Sequence, residues 1–152
     1  MLEAALACFP QAQLPVVARS GWWRSAAWPD ANDPEYRNGI ALVEPGEGPR
    51  DLLKRLFDME KSFGRDRSRK NAPRTLDLDL IAYGRLVIDE PGLILPHPRA
   101  HERLFVMGPL AEIAPGWRHP MLGRTAAELA ATAAVGRDAR PRLAGTASGP
   151  AS

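Results

Sequence analysis

The sequence predicts an α+β domain in which helices cover an antiparallel sheet. Three observations carry that expectation. Some stretches repeat their apolar residues at helical spacing while others alternate at period two. Several of the turns between them are short enough to be hairpins. The composition is that of a folded domain: 152 residues, 45% hydrophobic and 25% charged, within the usual range for one domain. With 13 glycines and 15 prolines, it predicts a loop-rich chain rather than a disordered one.

Residues 2–9 (LEAALACF) read as part of a helix with no cap before them. Residues 13–25 contain the β-prone Val16-Val17-Ala18 and the Trp22-Trp23 pair, and predict a strand. Residues 26–35 (AAWPDANDPE) form a loop by turn chemistry. Residues 36–44 (YRNGIALVE) are the next strand. Residues 49–63 predict an amphipathic helix, with Leu52, Leu53, Leu56, Phe57 and Phe63 at helical spacing, Pro49 at its start and Gly64 as its C-terminal cap. A loop follows over 65–73. Residues 74–83 (RTLDLDLIAY) alternate as a half-buried strand should. Residues 86–89, after Gly84-Arg85, suggest its hairpin partner. Residues 93–95 are short and strand-like. Residues 101–114 concentrate apolar side chains, cut at Gly108-Pro109, and residues 125–134 predict an Ala-rich helix. Residues 136–152 have almost no apolar content and read as a disordered tail after a domain over 1–135.

Several classes are excluded. No apolar run approaches the roughly 18–20 residues of a membrane span, and no basic stretch leads into an apolar signal core. One cysteine, Cys8, makes neither an internal disulfide nor a cysteine-rich metal site. A reducing, cytoplasmic setting and a monomer are expected. A net charge of +2 is too weak to argue for nucleic acid or an anionic membrane as partner. There is no G-x-x-x-x-G-K-[ST] loop, no G-x-G-x-x-G fingerprint and no kinase H-R-D signature.

The chemistry concentrates around residue 70. In residues 75–80 (TLDLDL) the leucines fall on one face and Asp77 and Asp79 on the other. Carboxylates about 6.6 Å apart on one strand face repel unless a cation lies between them. Hard oxygen ligands suit Mg²⁺, which binds one or two carboxylates plus substrate phosphates. A solvated strand face with no task reads the same way. Just before the pair, Arg65, Arg67, Arg69, Lys70 and Arg74 place five cations with a single acid, Asp66. Arginine forks match phosphate oxygens, so the two groups together suggest a nucleoside triphosphate site. A plain basic loop, or one that binds RNA phosphates, is the alternative. Glu60 lies on the apolar stripe of its helix and wants a partner; an edge position whose carboxylate reaches water or an arginine reads equally well. Tyr36, Asn38 and Phe105 can bind a heterocyclic ring, and His97, between two prolines, can touch phosphate.

Residues 63–84 (FGRDRSRKNAPRTLDLDLIAYG) resemble the signature of the 6-hydroxymethyl-7,8-dihydropterin pyrophosphokinases, folate-biosynthesis enzymes, and residues 73–79 (PRTLDLD) are close to diagnostic. Residues 95–115 (LPHPRAHERLFVMGPLAEIAP) match a second block. Weaker agreement runs through Arg24-Ser25 and Tyr36-Arg37-Asn38. The resemblance implies a ferredoxin-like sandwich and transfer of pyrophosphate from ATP to the hydroxymethyl group of 6-hydroxymethyl-7,8-dihydropterin, leaving AMP. It implies two Mg²⁺ ions on Asp77 and Asp79, with Arg65 and Arg74 on the phosphates during transfer. It assigns Glu60, Arg67, Lys70, Leu80, His97 and Arg103 to ATP, and Ser25, Tyr36, Asn38 and Phe105 to the pterin. No covalent intermediate is implied. A phosphate-binding or interaction module without catalysis is the alternative; an RNA-binding module fits less well, because aromatics are few around the loop and acids face the same site.

Two departures stand out. The family's Trp-Gly-Pro-Arg is Asn71-Ala72-Pro73-Arg74 here, which removes an indole that helps seal the loop over the pterin. The family also opens with a strand ending near a Gly-Ser-Asn element, inside the sheet, whereas this sequence opens within the helix that follows. The expectation is that Met1 is not the functional start, that an upstream segment supplies a short apolar strand, and that its neighbours otherwise keep unpaired ladder groups.

Overall fold

The computed structural model describes residues 2–25, 36–65 and 76–141. Two helices and a two-stranded sheet build one half of the core. Helix α1 (Leu2–Cys8) is followed by strand β1 (Val16–Arg19), which pairs antiparallel with β4 (Ala41–Val43) in the register Val16↔Val43, Ala18↔Leu42, Arg19↔Ala41. Helix α2 (Pro49–Arg65) presents Leu52, Leu56 and Met59, all buried, against Phe9 and Leu14. Of the residues whose spacing suggested the helix, Leu52 and Leu56 are on the face that packs, whereas Phe57 is exposed. The helix runs through Gly64 to Arg65 rather than capping at Gly64.

The other half gathers around helix α3 (Leu104–Ile113), whose Val106, Met107 and Leu110 pack with Ala126 and Leu129 of helix α4 (Ala126–Thr132). Thr125 caps α4 with a reciprocal pair of bonds to Glu128. Helix α3 continues unbroken through Gly108-Pro109, where the sequence predicted a cut. The reason is tertiary. Strand β2 (Trp23–Ser25) lies on α3, and a Cβ on Gly108 would come within 2.5 Å of the Trp23 ring. Gly108 therefore lets the indole close onto the helix, and burial outweighs the bond lost at Pro109.

Strand β2 is central to a three-stranded antiparallel sheet, flanked by β3 (Tyr36–Asn38) and β7 (Arg140–Pro141). The single strand predicted over 36–44 is thus two short strands in different sheets, parted at Gly39-Ile40. A Cβ on Gly39 would come within 2.6 Å of the Trp22 ring. The beginning of the predicted tail is ordered against the fold: Ala139 is buried and β7 joins the sheet. The rest of that stretch, and the loop over 26–35, lie outside the described residues.

Residues 76–82 depart from the expected hairpin. They carry no assigned helix or strand, and no strand among the described residues pairs with them. After a turn at 83–85, strand β5 (Ile88–Glu90) pairs with β6 (Leu93–Leu95) around Pro91-Gly92, not with residues 76–82. Short strands three residues apart close a local ladder at lower entropic cost than a longer reach. The architecture is α+β with antiparallel pairing throughout the named strands, but as three small sheets, so it is only partly ferredoxin-like.

Candidate active site

Asp77 and Asp79 are both exposed, as their alternation with half-buried Leu78 and Leu80 requires. Leu78 and Leu80 pack toward α2, while Ile81 packs toward α3. Neither carboxylate has a hydrogen bond or ion pair among the described residues. Two exposed acids two residues apart offer hard oxygen ligands that no described residue engages. Among the described residues no third His, Cys, Asp or Glu completes a cluster. That donor set fits Mg²⁺ in its usual protein mode, one or two carboxylates with the remaining positions left to water and phosphate.

Glu60 supplies what the sequence said it needed. Its Oε2 accepts the Leu78 N–H at 2.5 Å. A carboxylate on a helix thereby holds the backbone between the two aspartates. Leu80 is half-buried in the α2 cluster, so its side chain packs into the core.

His97 reaches the same segment from the other side. Its N–H donates to the Ile81 carbonyl at 2.8 Å. Its Nδ1 accepts the Arg99 N–H at 3.2 Å, which leaves Nε2 as the proton-bearing nitrogen. Burial lowers its pKa below the ordinary histidine value, as do the Arg103 and Arg99 charges, with Asp79 opposing them. The ring is therefore neutral near pH 7. Arg103 stands at the start of α3 with its guanidinium 5.8 Å from the Phe105 ring centre.

Of the ring-binding candidates only Asn38 lines the cavity that Asp77 and Asp79 also line; Ser25, Tyr36 and Phe105 do not. Ser25 pairs with Tyr36 and Trp23 with Asn38 across β2 and β3, so the four share one sheet face. Ser25 is buried, Asn38 half-buried and Tyr36 46% exposed. Phe105 is packed into the α3 core, under Gly136. A cavity of about 840 Å³ is lined by Asn38 as well as by Asp77 and Asp79. Trp22, which sequence reasoning did not single out, lines it too; the Trp22-Trp23 pair beside an Asn-Gly step was the available signal. Arg65 ends α2. Arg67, Arg69, Lys70, Asn71 and Arg74 lie outside the described residues.

An α+β domain with two open carboxylates beside a neutral histidine and an arginine defines a site suited to an anion that carries a divalent cation. The comparisons give the family. The family model for 7,8-dihydro-6-hydroxymethylpterin-pyrophosphokinase matches residues 1–115, and the chain belongs to that family. All fourteen site residues named from the sequence fall within the match. The chain is 44% identical over 110 residues to the 2-amino-4-hydroxy-6-hydroxymethyldihydropteridine pyrophosphokinase of Synechocystis sp., covering 72% of this chain and 56% of that protein. The proteins of the same name from Methylorubrum extorquens and Pseudomonas aeruginosa are 38% identical over 100 residues and 39% over 122. These cover 66% and 78% of this chain, and 63% and 74% of the relatives. The chain thus spans little more than half the length of the Synechocystis relative.

Proposed function

We propose that this chain catalyses transfer of the β,γ-pyrophosphoryl group of ATP to the hydroxymethyl oxygen of 6-hydroxymethyl-7,8-dihydropterin, giving AMP. The observation that carries the reading is the exposed Asp77 and Asp79 pair, without a hydrogen bond or ion pair among the described residues, held by Glu60 through Leu78 and set beside His97. Membership of the family supports it.

Asp77 and Asp79 hold two Mg²⁺, which neutralise phosphate charge when bound. Neutral His97 donates from Nε2 to a phosphate oxygen, and Arg103 adds a fixed positive charge next to it. Arg65, Arg67, Lys70 and Arg74 supply further cations, Arg65 and Arg74 during transfer. Glu60 and Leu80 shape the nucleotide site from α2 and from residues 76–82. Ser25, Tyr36, Asn38 and Phe105 bind the pterin: Asn38 matches an amide edge with one donor and one acceptor, and the aromatics cover the ring. Holding the hydroxyl in line with the β-phosphorus is the main catalytic device, so no protein nucleophile is needed. The enzyme works as a cytoplasmic monomer on small molecules, without nucleic acid or membrane; no described helix is long and apolar enough to cross one.

The test is AMP release from ATP, with and without the dihydropterin and Mg²⁺. AMP that requires both supports the reading. No AMP, AMP formed equally without the pterin, or ADP as the product overturns it.

A further inference from the structure

Residues 133–141 follow α4 and lie beyond residue 115, where the family match ends. They return across the start of α3 to the edge of β2. The Val135 N–H donates to the Glu102 carbonyl, and the Leu104 N–H donates to the Val135 carbonyl, both at 2.9 Å. Val135 thus forms a parallel bridge with Arg103, held by a bond on either side of that arginine. The Arg137 Nη1 donates to the Ala133 carbonyl and the Ala139 N–H to the Gly136 carbonyl, again at 2.9 Å. Ala133 and Ala139 are buried, and β7 pairs with β2 at Trp23 and Arg24. The segment is anchored at both ends.

Gly136 stands between the anchors with φ +73°. The Phe105 ring closes onto it: a Cβ at this position would come within 2.5 Å of Phe105 Cδ2 and 3.0 Å of Cε2. The Arg103 guanidinium carbon lies 5.8 Å from the centre of the same ring, and the ring also packs against the buried cluster of α3 and α4. Cδ2 and Cε2 belong to a rigid ring, so a methyl pressed on them turns the whole ring rather than one flexible end. Two demands meet at one residue: a left-handed backbone, which glycine adopts freely, and an empty side-chain position, which glycine alone leaves.

We infer that Gly136 is a positioning residue for the pterin: by leaving its side-chain position empty it sets the angle of the Phe105 ring. The inference rests on the proposed reading, in which Phe105 binds the pterin. Gly136 acts through Phe105, while Val135 keeps Arg103 in register with that ring. Stacking depends on ring angle and offset, so a turned ring weakens hold on the pterin and leaves the phosphate chemistry in place.

The experiment uses the full chain and measures pterin-dependent AMP release, with KM and kcat for each substrate. Ring-proton NMR of Phe105 in the ligand-free protein reports where the ring sits. Gly136→Ala is compared with Gly123→Ala, because Gly123 has φ +72° with nothing within 4 Å of its Cβ position and so supplies the backbone strain without the ring contact. The pterin KM is expected to rise about tenfold in Gly136→Ala, the upper range for one aromatic pair. Its kcat and its KM for ATP change by less than about threefold, and the Phe105 ring resonances shift. Gly123→Ala leaves KM and the ring resonances at wild-type values. In a Phe105→Leu background, Gly136→Ala adds less than about twofold to the pterin KM, because the ring it acts through is gone. If Gly136→Ala alone does not fold, a folded double variant with the pterin KM of Phe105→Leu supports the inference; a double variant that stays unfolded, or has a higher KM, overturns it. A wild-type pterin KM in Gly136→Ala, an equal rise in Gly123→Ala, or the full rise without the ring also overturns it. A wild-type chain with no pterin-dependent AMP release overturns the proposed reading and the inference with it, whereas an active wild type beside an unaffected Gly136→Ala overturns the inference alone.

Discussion

Replacing Glu60 separates a structural bond from a nucleotide contact. Its Oε2 accepts the Leu78 N–H at 2.5 Å, and Leu78 stands between Asp77 and Asp79. A hydrogen bond to a charged group contributes about 1.5–3 kcal/mol, and a stranded donor costs about 1–3 kcal/mol. Leu78 is only half-buried, so water recovers part of that loss, and about 1–2 kcal/mol is expected for Glu60→Ala. At roughly 2–4 °C per kcal/mol for a domain of this size, Tm falls by about 2–8 °C. Glu60→Gln keeps an acceptor on the same stem. A neutral bond retains about half the strength, so its fall in Tm is about half that of Glu60→Ala. The assay pairs thermal unfolding of the ligand-free protein with AMP release. Turnover falls in the same order, Ala more than Gln, because the backbone between the carboxylates loosens. If turnover drops while Tm stays at the wild-type value in both variants, Glu60 acts on the nucleotide and the bracing argument is refuted.

Asp77→Asn and Asp79→Asn each lower turnover by about 10²–10³-fold, the usual scale for removing one charge-stabilising group, while Tm holds or rises slightly as like charges are relieved; AMP release and thermal melts check both. His97 and His119 both have pKa values below the ordinary 6.5, His119 through burial and then the nearby His101. Between their folded values and about 6.5 the unfolded chain binds more protons, so stability rises with pH through that window and is lost as pH falls through it. His119→Asn, which keeps an acceptor for the Met121 and Leu122 N–H groups, flattens that slope in denaturant titrations from pH 5 to 7; an unchanged slope counts against the assignment. Gly108→Ala drives a methyl to within 2.5 Å of the Trp23 ring, and overpacking of about 1–3 kcal/mol exceeds the roughly 1 kcal/mol helix gain, so Tm falls and tryptophan fluorescence shifts.

The sequence by itself determined most of the local elements and the family. Helix α2 follows from the helical spacing of Leu52, Leu53, Leu56, Phe57 and Phe63, and α4 from the Ala-rich run over 125–134. The alternation in 76–80 put Asp77 and Asp79 on one exposed face, which is where they are. These readings succeed because helix stripes, caps and strand alternation are set by neighbours within a few residues. Tertiary structure alone decided the pairings. Residues 76–82 look like a hairpin strand, yet residues 88–90 pair with 93–95 instead. Residues 36–44 look like one strand, yet Gly39 closes against Trp22 and the run divides between two sheets. Gly108-Pro109 looks like a break, yet Trp23 covers it. Glu60 advertised a missing partner without saying that it was the Leu78 N–H. A ladder partner, a ring over a glycine and an acceptor for a lone N–H all come from distant parts of the chain. Their choice is made by which surfaces can be buried together, a property that no window of sequence contains.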